Sequence, residues 1–597
     1  MNKRRVRILL GISFLAVLIA SELPFLLTLA KTGWSTLPPV VDYPADEMLY
    51  LNFTVIQHIS PQTVINPWYG EAVPVTDVPH LKFPLTFRLF GLLRRLFHSW
   101  TGTMLIWTGI WSLLAFAAAF FCLRSVAPEL DESSSAVFAF ALVMLRSPLA
   151  YITAVTHVAS SRALLDLTLP YERFAFPQVA LPAFLAYWGF LAKALRTQRW
   201  PNLISLALMQ FFCCVTFPYI VPLLAVGTLA ALVISLFQRH KQTLPFIQVV
   251  ALAAACAALD GAYLLFTGGA HSGGNLKLSL AIHPQQILPS FRPYVALLFV
   301  AAVLAMFSRI SFAGRTVAAG LAIASGVLGF ANVFFPEESL MLIHFNYVNA
   351  ISTWLALFVF LWPLLVSRSR HWLPVLGGGL FLLALAEGYA NYLRSLDFNQ
   401  LQSAAVAEVR QLGLTASDVV LAPANMSDDI SCWIPLVSPA RVVFTRDAEN
   451  ILPPASIYGE QALRQAFYLN LTGITYQSLS ALTEPGNNRP IPGSFILFGE
   501  EAYLGSPLPA ERVRGRLLVR QRLLPPLARL EDEPQLGQFL FFGAERVVII
   551  DDNRQPNFVR SALTKWIDIV SEKDVNRIHI IFAKTKTTET VGASAAR

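Results

Sequence analysis

Nine stretches of this chain run for about the thickness of a lipid bilayer with almost no charge in them: residues 8–30, 101–123, 136–155, 174–192, 244–266, 293–307, 316–335, 348–366 and 372–392. A hydrocarbon core of roughly 30 Å needs about 20 apolar residues at 1.5 Å of rise each. Buried helices of a large soluble protein would carry charged faces between such runs, and these are missing. Only 14% of the residues are charged and 55% are hydrophobic, against roughly 25% charged in soluble domains. Mean hydropathy is +0.54. A polytopic α-helical membrane protein is therefore expected.

The first run follows the basic stretch Met1-Asn2-Lys3-Arg4-Arg5-Val6-Arg7. It is longer than the apolar region of a secretion signal and no small-residue cleavage site follows, which favours an uncleaved first span. Orientation comes from Lys and Arg, which accumulate in short inner loops. Basic turns fall at Lys3 to Arg7, at Lys193, Arg196 and Arg199, at Arg239 to Lys241, at Arg309 and Arg315, and at Arg368 and Arg370. To keep their alternation with the outer segments, 201–237 must be two short helices turning at Phe217-Pro218-Tyr219, since proline ends one helix and opens the next. The tally is about eleven spans, with the N-terminus cytoplasmic and the C-terminus outside. The expected organisation is a transmembrane domain over 1–393, with a long first outer loop at 31–100, and a periplasmic domain over 394–597. A bacterial inner (plasma) membrane is the expected location.

From 394 onward the pattern changes. Short β-rich runs at Asp418 to Ala422, Arg441 to Thr445, Ser494 to Phe498 and Arg546 to Ile550 alternate with helical patterns near 399–412, 458–472 and 556–571, and 577–583 reads as a final strand. Such alternation predicts an α/β domain with a largely parallel sheet. No dinucleotide fingerprint or P-loop follows any of these strands. Cys122, Cys213, Cys214 and Cys256 fall in apolar spans and Cys432 stands alone in the tail, so neither a disulfide framework nor a Cys/His metal cluster is expected. The net charge of +8 is shared by inner loops and tail, which suits membrane topology and not nucleic-acid binding.

In the first outer loop, Phe83, Leu85, Phe87, Leu89, Phe90, Leu92, Leu93, Leu96 and Phe97 are interspersed with Lys82, Arg88, Arg94 and Arg95. That is a basic amphipathic helix, either lying in the headgroup plane or packed on the bundle. Ahead of it, Val41 to Tyr50 places Asp42, Asp46 and Glu47 just beyond the first span. Pro44 makes a continuous helix from Asp42 unfavourable, so Asp46-Glu47 opens one. The acids either satisfy helix-end amides or supply a general base or ligands for a divalent cation. Further on, Tyr171, Arg173 and Gln178 stand at the outer mouth of a span. There Arg173 either matches a lipid phosphate or acts as an interfacial anchor. Asn332, Glu337, Glu338, His344 and Tyr347 form a third outer patch, and His80 with Lys82 complete the set. All of these fall on one membrane face, as an active site requires.

These features together resemble the GT-C superfamily of integral-membrane glycosyltransferases. The resemblance rests on Asp42 to Tyr50, on the loop helix after His80-Leu81-Lys82-Phe83-Pro84, on Arg173 to Gln178, and on the Asn332, His344 and Tyr347 segment. The tail pieces Val419 to Pro423 and Glu545 to Ile550 also look like the outer α/β domains many such proteins carry. The resemblance implies a polyprenyl-phosphate-linked sugar donor and a glycan, lipid or protein acceptor. It implies a first-loop carboxylate as base, Asp46 foremost with Asp42 and Glu47 behind it. Arg173, with His344, Lys82, His80, Tyr347 and Gln178, would hold the lipid phosphate and substrate. A divalent cation (Mg2+ or Mn2+) is the one cofactor it admits. The sequence departs from the family where a second loop Asp should stand: Asp166 is the only carboxylate of 156–171. Alternatives are a transporter or flippase of lipid-linked saccharide, with Asp260 and Glu387 as its intramembrane charges, a surface-polysaccharide polymerase or ligase, or an inactive relative serving as an assembly partner.

Overall fold

The structure, a computed structural model, describes residues 3–34, 37–41, 51–56, 58–60, 63–74, 84–146, 178–217, 220–237, 244–266, 291–328, 351–359, 372–424, 430–446, 448, 457–487, 489–492, 495, 504, 509–533, 535–554 and 556–586. The chain divides into two compact units. One comprises Met1–Leu27, Phe83–Phe90 and Gly102–Arg394; the other comprises Thr28–Lys82, Gly91–Thr101 and Ser395–Arg597.

The apolar runs become helices: α1 (Lys3–Thr32), α2 (Pro84–Phe97), α3 (Trp100–Val126), α4 (Glu132–Met144), α5 (Leu181–Thr197), α6 (Trp200–Thr216), α7 (Val221–Phe237), α8 (Phe246–Phe266), α9 (Phe291–Met306), α10 (Phe312–Leu328) and α11 (Trp372–Gln411). Residues 351–359 are helical as well. Among the described residues, four helices are long and apolar enough to cross a membrane, at Ile8–Thr32, Trp100–Val126, Phe246–Tyr263 and Trp372–Gln411. The stretch 201–237 is two short helices, α6 and α7, and α6 ends at Phe217, whose N–H reaches the Cys213 carbonyl. The loop helix is α2. It buries Thr86, Phe87 and Phe90 and exposes Leu92, Leu96 and Phe97 beside Arg88 and Arg95. It therefore has a packed face and an apolar-basic outer face at once.

Helices without a hydrophobic drive between them pack through small residues. In α10, a Cβ at Gly320 would sit 2.6 Å from the Gly227 carbonyl oxygen of α7 and 3.0 Å from Ala231 Cβ. Backbone cannot yield as a side chain does, so Gly320→Ala is expected to cost about 1–3 kcal/mol. Thermal melting in detergent reads this as a lower midpoint; an unchanged midpoint means that α7 and α10 separate freely.

The second unit holds two sheets. Strands β1 (His58–Ser60), β2 (Thr63–Ile65) and β3 (Ala72–Pro74) form an antiparallel sheet in that order. The other sheet has β4 (Val419–Leu421), β5 (Arg441–Val442), β6 (Val547–Asp552), β7 (Ile567–Val575) and β8 (Ile578–Thr585) in the order β5-β4-β6-β8-β7. Helices α12 (Ile430–Val437), α13 (Ala462–Leu471), α14 (Tyr476–Leu482), α15 (Pro509–Asp532), α16 (Leu536–Leu540) and α17 (Arg560–Leu563) accompany it. Val419, Leu421, Val547, Ile549 and Ile581 pack with Phe467, Leu523 and Leu527 in one core. The α/β character is as expected, but the sheet is mixed: β4 pairs with β5 and β6 in parallel, while β8 is antiparallel to β6 and β7. The helix expected near 556–571 is also corrected. Only the four residues of α17 are helical there, and Ile567, Ile569, Val570 and Val575 enter β7. Their β-branched side chains favour a strand, and a two-residue turn with Asn576 in the left-handed region (φ 56°) returns the chain into β8. Of the run at Ser494 to Phe498, only Phe495 lies within the described residues.

The β2–β3 hairpin had no counterpart in the sequence reading. Asn66 Oδ1 accepts the N–H groups of Trp68 and Tyr69, and Gly70 takes φ 74°. This tight turn drives Trp68 and Tyr69 into the core of the second unit, where both are buried. Full burial of rings this size is worth on the order of 4–6 kcal/mol each. Trp68 donates from Nε1 to the Cys432 carbonyl at 2.7 Å, its own carbonyl accepts the Val442 N–H, and the Tyr69 hydroxyl donates to Gln461 Oε1 at 2.7 Å.

Candidate functional site

Of the residues singled out from the sequence, Asp42, Asp46, Glu47, His80, Lys82, Arg173, His344 and Tyr347 lie outside the described residues, and Gln178 lies within them. The described residues include the flanks of the segments that carry them.

In the second unit, the residues on either side of 42–50 are hydrogen-bonded to distant parts of the chain. Ahead of it, Asn399 of α11 grips the Val40 peptide like a strand partner: Oδ1 accepts its N–H at 2.8 Å and Nδ2 donates to its carbonyl at 2.6 Å. The Leu37 carbonyl accepts the Thr101 hydroxyl at 3.1 Å, and the Thr32 carbonyl accepts that of Ser403 at 3.1 Å. After the acidic segment, Leu51, Asn52 and Phe53 are buried, and Asn52 Nδ2 donates to the Cys432 carbonyl at 2.7 Å. That carbonyl thus serves both Asn52 and Trp68. The same geometry engages the side chain of Asn52, which with Asn425 and Asn470 is one of three N-x-S/T glycosylation-sequon matches in the sequence. Asn470, a second match, is also buried, with its Oδ1 facing Trp566 Nε1 at 3.4 Å.

In the first unit, two further flanks meet. Arg146, the last described residue before the segment bearing Arg173, donates to Asn391 Oδ1 at 2.9 Å, and its carbonyl accepts Trp354 Nε1 at 2.6 Å. Trp354 closely follows the segment bearing His344 and Tyr347. The two sides of that segment are also joined, because the hydroxyls of Ser325 and Ser352 lie 2.6 Å apart. Glu387 sits one helical turn before Asn391, so both share a face of α11.

Gln178 is buried in the turn leading into α5. Two residues on, the Ala180 carbonyl faces Cys213 Sγ of α6 at 4.0 Å. The same helix carries Gln210, whose Nε2 donates to Asp260 Oδ2 of α8 at 3.0 Å; the Cys214 thiol hydrogen-bonds Asp260 as well. Asp260 Oδ1 is buried with no hydrogen-bond partner among the described residues. One turn beyond, Tyr263 meets Phe211 edge-on at 6.1 Å, within electrostatic reach of Arg88. Asp260 was legible as an intramembrane charge, but its Gln210 and Cys214 partners were not.

Among the described residues no three His, Cys, Asp or Glu side chains gather as a metal centre would require.

No family model matches the chain, and no curated protein matches it. Among solved structures, the chain is similar to the oligosaccharyltransferase of Archaeoglobus fulgidus tethered to an acceptor peptide containing an NVT sequon, with 12% identity over 98% of this chain and 75% of that one and a TM-score of 0.40. The apo form of the same enzyme gives 11% identity, 81% and 68% coverage and a TM-score of 0.42. ArnT from Cupriavidus metallidurans bound to undecaprenyl phosphate gives 10% identity, 98% coverage of both chains and a TM-score of 0.40. These are loose likenesses at low identity.

Proposed function

We propose that the protein is a GT-C-type glycosyltransferase of the plasma membrane, with about eleven spans and the α/β unit on the periplasmic side. It transfers a hexosyl or pentosyl group from a polyprenyl-phosphate-linked donor to an acceptor hydroxyl at the outer face. Asp46 takes the acceptor proton as the acceptor oxygen attacks the anomeric carbon. The bond from that carbon to the phosphate oxygen breaks, and polyprenyl phosphate leaves with the electron pair. Arg173, with His344 and Lys82, steadies the phosphate, and His80, Tyr347 and Gln178 line the approach.

The observation that carries this reading is the fastening of the acidic segment at both ends, by Asn399 on Val40 and by Cys432 on Asn52. A base gains its effect from a fixed position, and buried amide–backbone hydrogen bonds are a means of fixing it. The meeting of flanks at Arg146, Trp354 and Asn391 supports the same reading for the segments bearing Arg173 and His344. Asp42, Asp46 and Glu47 offer oxygen ligands, which suit Mg2+ or Mn2+; such an ion would supply charge stabilisation for the leaving phosphate.

The test is transfer of labelled sugar from a series of polyprenyl-phosphate donors by purified protein, with and without EDTA. Transfer is expected, and loss on chelation with recovery on adding Mg2+ or Mn2+ assigns the ion. Donor binding without transfer from any donor overturns the enzyme reading.

A second reading, a transporter or flippase of lipid-linked saccharide, draws on the Asp260–Gln210 pair, because charged groups inside spans mark pathways. In the transferase, Asp260→Ala is expected to change transfer less than about tenfold, since Asp260 touches no reacting atom. If Asp260→Ala instead abolishes substrate movement across vesicles while the first-loop acids are dispensable, the transporter reading replaces the enzyme.

A further inference from the structure

The core face of the larger sheet changes character at its last row. Val547, Ile549, Ile581 and Ala583 are apolar and buried, but the next cross-strand row is Asp551 on β6, His579 on β8 and Asp574 on β7. That row floors a cavity of about 350 Å³ at the carboxyl end of β6, walled by Phe558, Pro556 and Leu563.

The cavity is built, not merely acidic. The Asp551 carboxylate accepts backbone N–H groups of Asp552, Asn557 and Phe558 at 2.8–3.0 Å, which fixes the rim loop. Asp552 pairs with Arg577 at 2.7 Å, Glu572 with Arg560 at 2.5 Å, and Asp574 with His579 Nδ1 at 2.7 Å. The carboxylates are already engaged, Asp551 by backbone N–H groups and Asp552, Glu572 and Asp574 by Arg577, Arg560 and His579. What remains open is hydrogen-bonding capacity: the exposed Asn553 amide, and the second oxygen of Asp574, whose side chain is 70% exposed. Paired carboxylates, an amide and a guanidinium beside one apolar wall suit a ligand that carries hydroxyls on its edge and C–H groups on its face. A cavity of this size is at the small end of ligand sites.

We infer that this cavity binds a neutral pyranose, and that in the transferase it holds the acceptor glycan. The second half rests on the reading under Proposed function; the first does not. The test is saturation-transfer NMR on the full chain in a detergent without a sugar head group and with no lipid-linked donor present. The probes are methyl glucopyranoside, galactopyranoside and mannopyranoside, N-acetylglucosamine, glucosamine and glucuronate at millimolar concentration. At least one neutral sugar is expected to receive saturation. The double variant Asn553→Ala with Asp574→Ala should weaken it about tenfold or more, with an unchanged melting midpoint. Saturation of no neutral sugar, preference for the amine or the acid, or equal binding by the double variant overturns the site. Transfer of sugar without pyranose binding sinks this inference alone; pyranose binding without transfer sinks the transferase reading and leaves the site standing.

Discussion

Asp46→Asn is expected to lower sugar transfer by about 10²–10⁴-fold, the usual share of a positioned general base, while donor binding and elution behaviour stay as in the wild type. Asparagine keeps the size and hydrogen-bonding shape of the side chain but cannot take the acceptor proton. The fall should therefore sit in kcat, with little change in KM for the donor. Asp42→Asn and Glu47→Gln are the necessary comparisons, because all three acids lie within six residues of one another. If Asp46 is the base, these two variants retain most of the rate, or lose it in a way that added Mg2+ or Mn2+ partly restores. A wild-type rate in Asp46→Asn with loss in Asp42→Asn moves the base by four residues and leaves the reaction unchanged. Asn399→Ala tests the positioning separately. It removes both hydrogen bonds to Val40 but no reacting group, so its loss should be smaller and should not alter the pH profile.

The membrane spans were legible because a bilayer imposes a length and forbids charge, and both marks are visible in sequence. The division of 201–237 into two short helices was legible for a related reason, as the alternation of basic turns demanded two helices there. The strands β4, β6 and β8 announced themselves by β-rich runs. Strand β7 did not: Ile567 to Val575 carries Asp568, Ser571, Glu572, Lys573 and Asp574, and a strand this polar exists only because β8 pairs with it. The hairpin at Trp68 and Tyr69 was hidden more deeply. Its sheet has strands of three residues, too short for a period to show. Its partners Cys432, Val442 and Gln461 are more than 360 residues away in the chain. Long-range pairing of this kind leaves no local mark, and the same holds for the Asn399 grip on Val40. Around the candidate site, the hydrogen bonds that hold the flanking residues Val40 and Asn52 were not legible.

Arg464→Met should destabilise the second unit by about 1.5–3 kcal/mol, the range for losing hydrogen bonds to a charged group, because its carboxylate partners are partly open to solvent. Arg464 is 1% exposed; its Nε and Nη2 donate to Glu460 Oε1 at 2.8 and 2.5 Å, and Nη2 lies 3.6 Å from Glu71 Oε1. Its guanidinium also stands 4.6 Å from the Tyr69 ring centre and 4.1 Å from that of Phe542. One cation thus serves two carboxylates, and the Arg441 charge also acts on Glu71. Burial, together with the Glu460 charge, pushes Glu71 up to about 7. Since this exceeds the unfolded value near 4.5, the folded unit holds a proton that the unfolded chain releases. The contribution is complete below about pH 4.5 and is lost as pH rises through 7. Arg464→Met should therefore cost most at pH 8, where Glu71 is ionised, and least at pH 5. Glu71→Gln should do the opposite, raising stability at pH 8 by on the order of 1 kcal/mol, a modest figure because solvent screens a side chain that is 38% exposed. Near pH 4.5 it should change nothing. Thermal melting of the full chain at the two pH values, followed by tryptophan fluorescence, reads all of this, and combining the substitutions should recover part of the Arg464→Met loss at pH 8. Equal losses at pH 5 and pH 8 would show that Arg464 holds the hairpin by stacking on Tyr69 and Phe542 and not by neutralising Glu71 and Glu460.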